Sequence, residues 1–288
     1  MQLVQIGSLS EIRPAMGLLK AIERPVPGQY KDAYHQNKIE RCYLFIKGEA
    51  VLGVLAILYQ EESLRAYLSF DEYTLEDRVL DCVWQLLEQA IVSHPERRLF
   101  VSLNGRNHRL TQVLSEQGLH QELSVLGYTH NSSEFSPSKH ELKRTDFDPK
   151  AFKQYQELFG QAYYQIRKEN RFYPFNWYEN FPDEAYEELV YADSQGGFKA
   201  FWDGDRLIGA YLLYQDEIDS LAVHPREWGK GYGSILLGDC LRLIRTRYDQ
   251  AYLTVMESNS RAINLYERWG FARTSWYKEF FYETKAPL

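Results

Sequence analysis

The stretch Leu221-Ala-Val-His-Pro-Arg-Glu-Trp-Gly-Lys-Gly-Tyr-Gly-Ser234 is built to hold an anion. A short apolar strand runs into glycines at alternate positions, Gly229, Gly231 and Gly233, and an amphipathic helix follows. Without Cβ atoms in the way, successive backbone N–H groups can point into one concavity. The positive end of the helix dipole lies there as well, so the chemistry is phosphate or pyrophosphate binding. The G-x-G-x-G spacing differs from the G-x-G-x-x-G of dinucleotide folds and the G-x-x-x-x-G-K-[ST] of P-loops. Lys230 adds a positive charge inside the turn. Taken alone, the stretch also reads as a bland glycine-rich turn.

A second group lies downstream, in Asn259-Ser-Arg-Ala-Ile-Asn-Leu-Tyr266-Glu-Arg-Trp-Gly270-Phe271. Asn259 suits a helix N-cap. Tyr266 follows seven residues on, two turns along the same face. A phenol there can act as a proton donor, and a half-buried core aromatic is the plainer reading. Proton acceptors are offered by Glu217 and Asp219, whose parity puts them on one face of the strand before the turn. Solvated edge charges are the alternative for both. Glu257, at the end of the next strand, is a third candidate. His224 reads as a turn residue.

The elements that position these groups follow from punctuation and periodicity. Asn131–Lys139 is rich in Ser with one Pro and lacks apolar periodicity, so it reads as a linker. It splits the 288 residues into near-equal halves. Asp148 and Pro149 start a helix from Ala151 to about Lys168. A short helix at about 183–191 comes next, then a hairpin of 197–202 and 207–215 and a strand at 217–223. A helix at about 233–247 carries Leu236, Leu237, Cys240, Leu241 and Ile244 on one face. A strand at 251–257, a helix at 260–269 and a last strand at 271–282 complete the half. The halves repeat each other: Gly48 and Gly53 match Gly204 and Gly209 at a spacing of 156, and Asn107, Arg109 and Gly118 match Asn259, Arg261 and Gly270 at 152.

Composition excludes several classes. The formal net charge of −7 lacks the basic excess that phosphate neutralisation demands, so no nucleic-acid partner is expected. No apolar run approaches the ~20 residues of a membrane helix, and no signal peptide is evident, so no membrane is expected. Three cysteines, Cys42, Cys82 and Cys240, without a CxxC pair, fit a reducing, cytoplasmic setting. Seven scattered His without HxxxH or HExxH spacing argue against a metal site.

With both motifs in order, the sequence resembles the GCN5-related N-acetyltransferase (GNAT) superfamily over about Gly197 to Tyr282. The resemblance implies acetyl-CoA as co-substrate and the glycine turn, Trp228, Gly229, Lys230, Gly231, Tyr232, Gly233 and Ser234, as its pyrophosphate site. It implies that Leu221, Ala222 and Val223 bind the pantetheine arm through their backbone and that Asn259 contacts that arm. Tyr266 matches the general acid that protonates the leaving thiolate. Glu217 stands eleven residues before Trp228, the spacing of the catalytic Glu in the histone-acetylating branch. Trp228 departs from the family's Gln or Arg.

The first half resembles the same fold without its chemistry. The stretch matching the glycine turn, Glu72–Asp77, has no glycine, Glu76 and Asp77 would repel phosphate, and Leu114 stands where Tyr266 stands. The expected fold class is therefore α/β (α+β): two tandem GNAT-like domains, each a mixed, mostly antiparallel sheet flanked by helices. The expected domains are a degenerate one at 1–135, serving packing, dimerisation into a homodimer or shaping of the acceptor site, and a catalytic one at 136–288. Tyr163, Tyr164, Phe172, Tyr173, Phe175, Trp177, Tyr178 and Phe181 are candidates to line an acceptor pocket or, equally, an interface between the halves. The expected function is direct N-acetyl transfer to a primary amine of a small molecule or peptide. The alternative is a non-catalytic acyl-CoA-binding sensor.

Overall fold

The computed structural model describes residues 1–71, 75–131 and 141–282. The linker beyond Asn131, the 135/136 division and the glycine-turn counterpart Glu72–Thr74 lie outside the described residues. Two compact units are present: Met1–Gly127 with Thr274–Leu288, and Tyr128–Arg273.

The first unit contains β1 (Gln2–Gln5), α1 (Leu9–Ile12), α2 (Met16–Ile22), α3 (Val26–His35), β2 (Ile39–Lys47), β3 (Ala50–Gln60) and β4 (Ser63–Phe70). It continues through α4 (Asp77–Ser93), β5 (Arg98–Asn104), α5 (His108–Glu116) and β6 (His120–His130), whose last three residues fall in the second unit. The second unit contains β7 (Lys143–Thr145), α6 (Phe152–Glu169), α7 (Trp177–Asn180), α8 (Pro182–Ser194), β8 (Phe198–Asp203), β9 (Arg206–Tyr214) and β10 (Glu217–Val223). After these come α9 (Tyr232–Ile244), β11 (Ala251–Met256), α10 (Ser260–Arg268) and the start of β12 (Ala272–Tyr282).

Each unit is a mixed, mostly antiparallel sheet flanked by helices. In the first, β1 to β4 pair antiparallel in chain order, and β4 then pairs parallel with β5. In the second, β7 pairs with β8, β8 with β9 and β9 with β10, all antiparallel, and β10 pairs parallel with β11. The parallel step needs a crossover, and α4 and α9 supply it. Both helices bury one stripe: Val79, Leu80, Val83, Leu86, Leu87 and Ala90 in α4, and Leu236, Leu237, Cys240, Leu241 and Ile244 in α9.

The repeat seen in the sequence is a repeat of structure. Helix α10 lies 152 positions after α5 at both ends. Asn107 and Asn259 precede these helices with nearly identical backbones, φ −80°, ψ 67° and φ −82°, ψ 66°. Gly118 and Gly270 follow them at φ 87° and 83°.

The last strand departs from the expected division. Residues Tyr277–Tyr282 of β12 pair antiparallel with Leu99–Asn104 of β5, inside the first unit. Phe280 is fully buried in the core formed by β3, β4, α4 and β5. Glu279 accepts from Arg65 and, at 3.0 Å, from Ser102. A domain of 136–288 therefore does not correspond to a compact unit, because its final strand completes the other sheet. Among the described residues, no helix is long and apolar enough to cross a membrane.

Phe280→Ala is expected to destabilise the first unit by about 3–5 kcal/mol. Hydrogen exchange should show protection lost along β5 as well as β12. Unchanged exchange in β5 would mean that β12 is not part of that sheet's core.

Candidate functional site

The glycine turn joins β10 to α9. Gly229 and Gly231 adopt φ 80° and 87°, a region costly for any residue with a Cβ, and a Cβ built on either meets nothing within 4 Å. The turn thus faces open space. Gly233 is restricted differently, since its Cβ would approach Leu265 Cδ2 at 3.2 Å. Gly231 is the N-cap of α9 and brings no side chain to the cap. Ser234 donates its N–H to Gly231 O at 3.0 Å, and among the described residues no acceptor is found for the N–H groups of residues 229–233. Unpaired donors at the positive end of a helix are the donor set a pyrophosphate needs.

Side chains around the turn are tied down. Glu227, 4% exposed, pairs with Lys230 at 2.9 Å and Arg206 at 3.0 Å, and the Lys230 bond holds its carboxyl below the usual range. Trp228 Nε1 donates to Val223 O at 2.7 Å, and the Arg261 guanidinium lies 3.8 Å from the centre of its ring. His224 caps the short turn Pro225–Glu227, accepting from Arg226 N at 3.2 Å.

Strand β10 is bent by a bulge. Its register with β9 shifts between Ile218 and Ser220, leaving Asp219 as the extra residue. The parallel pairing with β11 stops at Ile218↔Leu253, although β10 runs on to Val223 and β11 to Met256. The two strands therefore separate at Leu221–Val223. Tyr163 of α6 enters beside this stretch, and the Leu221 N–H donates to its hydroxyl at 3.0 Å. Tyr266, 8% exposed, packs its ring 5.7 Å from Phe271. Burial, then the proximity of Tyr163 and Cys240, pushes the Tyr266 phenol well up, so it stays protonated.

On the α6–α8 side of β10 lies a cavity of about 380 Å³. Tyr163, Phe172, Phe175, Trp177 and Tyr178 line it, as do Glu188 and Asp219. Burial and then the Asp219 charge push the Glu188 carboxyl up to about 7, with Tyr178 offsetting part of the rise. Partial loss of water around its own carboxyl raises Asp219, and a bond from Ser220 at 3.0 Å opposes this. Burial pushes Tyr163 up to about 12.

Residues 160–271 match the acetyltransferase (GNAT) family model. Residues 160–271 thus carry a GNAT-type acetyltransferase domain. Among solved structures, a GCN5-related N-acetyltransferase from Sphaerobacter thermophilus is similar at 14% identity, covering 99% of this chain and 97% of that one, with a TM-score of 0.60. A Drosophila protein is similar at 13% identity over 99% of each chain, with a TM-score of 0.51. A tandem GNAT protein from the clavulanic acid biosynthesis pathway aligns at 12% identity over 100% and 99%, with a TM-score of 0.47. The first two likenesses speak to a shared fold. No curated protein matches the chain.

Against the GNAT assignments, the structure brings Trp228 of the glycine turn against Arg261 of α10, and Tyr163 against Leu221 with Tyr266 nearby. Asn259 accepts from Ala262 N at 3.2 Å, so its side-chain oxygen serves as a helix cap. Asp219 faces the cavity; Glu217, Tyr164, Tyr173 and Phe181 are not among the residues lining it. The aromatic group of the sequence is thus largely a cavity wall within the second unit. Sequence reasoning missed Glu188, which sits among Glu184 and Glu187 and resembles a solvated helix face. The available signal was its spacing: it lies three residues after Ala185 and four before Ala192, both buried.

Glu188 carries a pH signature. Its folded-state carboxyl, at about 7, holds a proton more tightly than an unfolded one near ~4.3. The resulting stability is complete below the unfolded value and is lost as pH rises to about 7. Glu188→Gln stays neutral, so it should match wild type near pH 4 and exceed it by about 1–3 kcal/mol at pH 8. Urea unfolding at the two pH values checks this. A difference that does not change with pH would mean the carboxyl is freely hydrated.

Proposed function

We propose that the Tyr128–Arg273 unit is an acetyl-CoA-dependent N-acetyltransferase that moves an acetyl group directly to a primary amine. The observation that carries this reading is the open glycine turn with unpaired N–H groups at the start of α9, placed beside separating strands. Residues 229–233 would hold the pyrophosphate, and Leu221–Val223 the pantetheine arm. When bound, acetyl-CoA supplies an acetyl thioester as the electrophile. Tyr266 keeps its proton throughout the physiological range and is the residue assigned to deliver it to a departing thiolate. Asp219 and Glu188, which line the cavity, would accept protons from the amine side.

The Met1–Gly127 part is read as degenerate. The structure supports this with a parallel β4–β5 pair that holds register from Ser63↔Arg98 to Leu68↔Leu103, leaving no separation of the kind seen at β10. Leu114 is fully buried where Tyr266 stands in the repeat.

Release of free thiol from acetyl-CoA with an amine panel tests the reading. Binding without release under any amine would favour the sensor. Gly231→Glu should abolish acetyl-CoA binding, because it places a charged side chain at φ 87° in the cradle. Unchanged affinity by calorimetry would remove this loop from the site. Tyr266→Phe keeps the ring and deletes the acidic proton. Turnover should fall about 10- to 1000-fold with little change in acetyl-CoA affinity. Wild-type turnover, with chemistry rate-limiting, would make Tyr266 a packing residue.

A further inference from the structure

We propose that the cavity beside β10 binds a compact primary monoammonium ion with an apolar or aromatic body, its charge held between Glu188 and Asp219. The proposal names the acceptor class for the transfer reading above and rests on it.

Two carboxylates from different elements, Glu188 of α8 and Asp219 of β10, line one cavity. Among the described residues neither has an ion-pair partner. Glu188 Oε2 is buried with no hydrogen-bond partner. A buried carboxylate oxygen without a donor is unfavourable, so such a group marks a position that a bound donor completes. Among the described residues, the only other charge on the wall is Arg167, which is already engaged: its Nε donates to Pro174 O at 2.8 Å, and its guanidinium lies 4.2 Å from the Phe172 ring centre. A second cationic group on the ligand would meet Arg167, which favours a monoamine over a polyamine.

The rest of the wall suits the same ligand. Tyr163, Phe175, Trp177 and Tyr178 present rings, which attract a cation through their faces and accept an apolar body. Burial keeps the Tyr163 and Tyr178 hydroxyls neutral. The volume of about 380 Å³ lies toward the small end of the roughly 300–1,000 Å³ typical of ligand pockets. An acceptor recognised through a carboxylate or phosphate would be repelled by Glu188 and Asp219.

Ammonium binding favours the ionised form of Glu188, so a proton should leave as the ligand enters near pH 7. The other titratable groups near Glu188 are Asp219 on β10, Tyr214 on β9, Tyr178 on α7, and Tyr163 and Arg167 on α6. The tyrosines and Arg167 do not change charge near neutrality, and the Asp219 charge raises the proton affinity of Glu188.

The experiment is calorimetry on the full chain without acetyl-CoA, using 2-phenylethylammonium and hexylammonium against 2-phenylethanol and 1-hexanol. Buffers of two ionisation enthalpies at pH 7 report the proton. Each ammonium should bind at least tenfold more tightly than its alcohol and release a fraction of a proton. Glu188→Gln and Asp219→Asn should each weaken ammonium binding tenfold or more, and Glu188→Gln should remove most of the proton release. Acetyl-CoA titrated into the same samples separates the two readings and shows that the variants are folded. Acetyl-CoA binding without preference for ammonium, or unaltered ammonium binding in Glu188→Gln, overturns the cation site and leaves the transfer reading standing. Selective ammonium binding without acetyl-CoA binding does the reverse.

Discussion

The second unit is organised by one inserted residue. Asp219 has no partner of its own in the β9–β10 ladder, and the bulge it forms bends β10. The pairing with β11 ends one residue earlier, at Ile218. In the first unit, β3 and β4 keep unbroken register from Gly53↔Phe70 to Gln60↔Ser63, and β4 stays beside β5 for six residues. A straight strand keeps its parallel neighbour; a bent one leaves it. The same bulge that separates the strands on one side puts the Asp219 carboxyl on the cavity wall on the other.

Separation removes the β11 partner from Leu221–Val223, which keep only their β9 neighbours, and buried backbone groups must be satisfied somewhere. Side chains take part of that role. Tyr163 accepts from the Leu221 N–H, and Trp228 donates to the Val223 carbonyl. The indole that stands in place of the family's Gln or Arg is therefore a cap on the open strand. Arg261, stacked over it, links the glycine turn to the first turn of α10. Tyr163 stands at the junction: it touches the open strand, lines the cavity and raises the proton affinity of Tyr266.

Local signals carried much of this into the sequence. The helices and strands of the second half follow from apolar periodicity and glycine punctuation, and β10 runs from Glu217 to Val223 as read. The glycine turn was legible because positive φ at Gly229 and Gly231 excludes most other residues. What failed to appear was non-local. Nothing within Thr274–Tyr282 reveals that its partner is Leu99–Asn104, since strand pairing depends on edges left open far away in the chain. The bulge was invisible for a related reason: alternation read residue by residue assumes an unbroken ladder. Glu188 was hidden by its surroundings, because an acidic helix looks solvated until the ring packed across it is known.

The paired asparagines show how little the local chain decides. Asn107 and Asn259 share residue type, repeat position and backbone angles. Asn259 turns its side chain to its own helix and caps Ala262. Asn107 instead accepts from Phe70 N at 3.1 Å and donates to Phe70 O at 3.0 Å, so it does not cap α5. The difference lies in the strand. A straight β4 brings Phe70 within reach, and the amide clamps both of its backbone groups. A bent β10 carries its end away, and the amide returns to the helix. Restoring a binding groove to the first unit would thus require more than new glycines before α4. It would also require a bulge in β4 to release Phe70 from Asn107 and to break the six-residue ladder with β5.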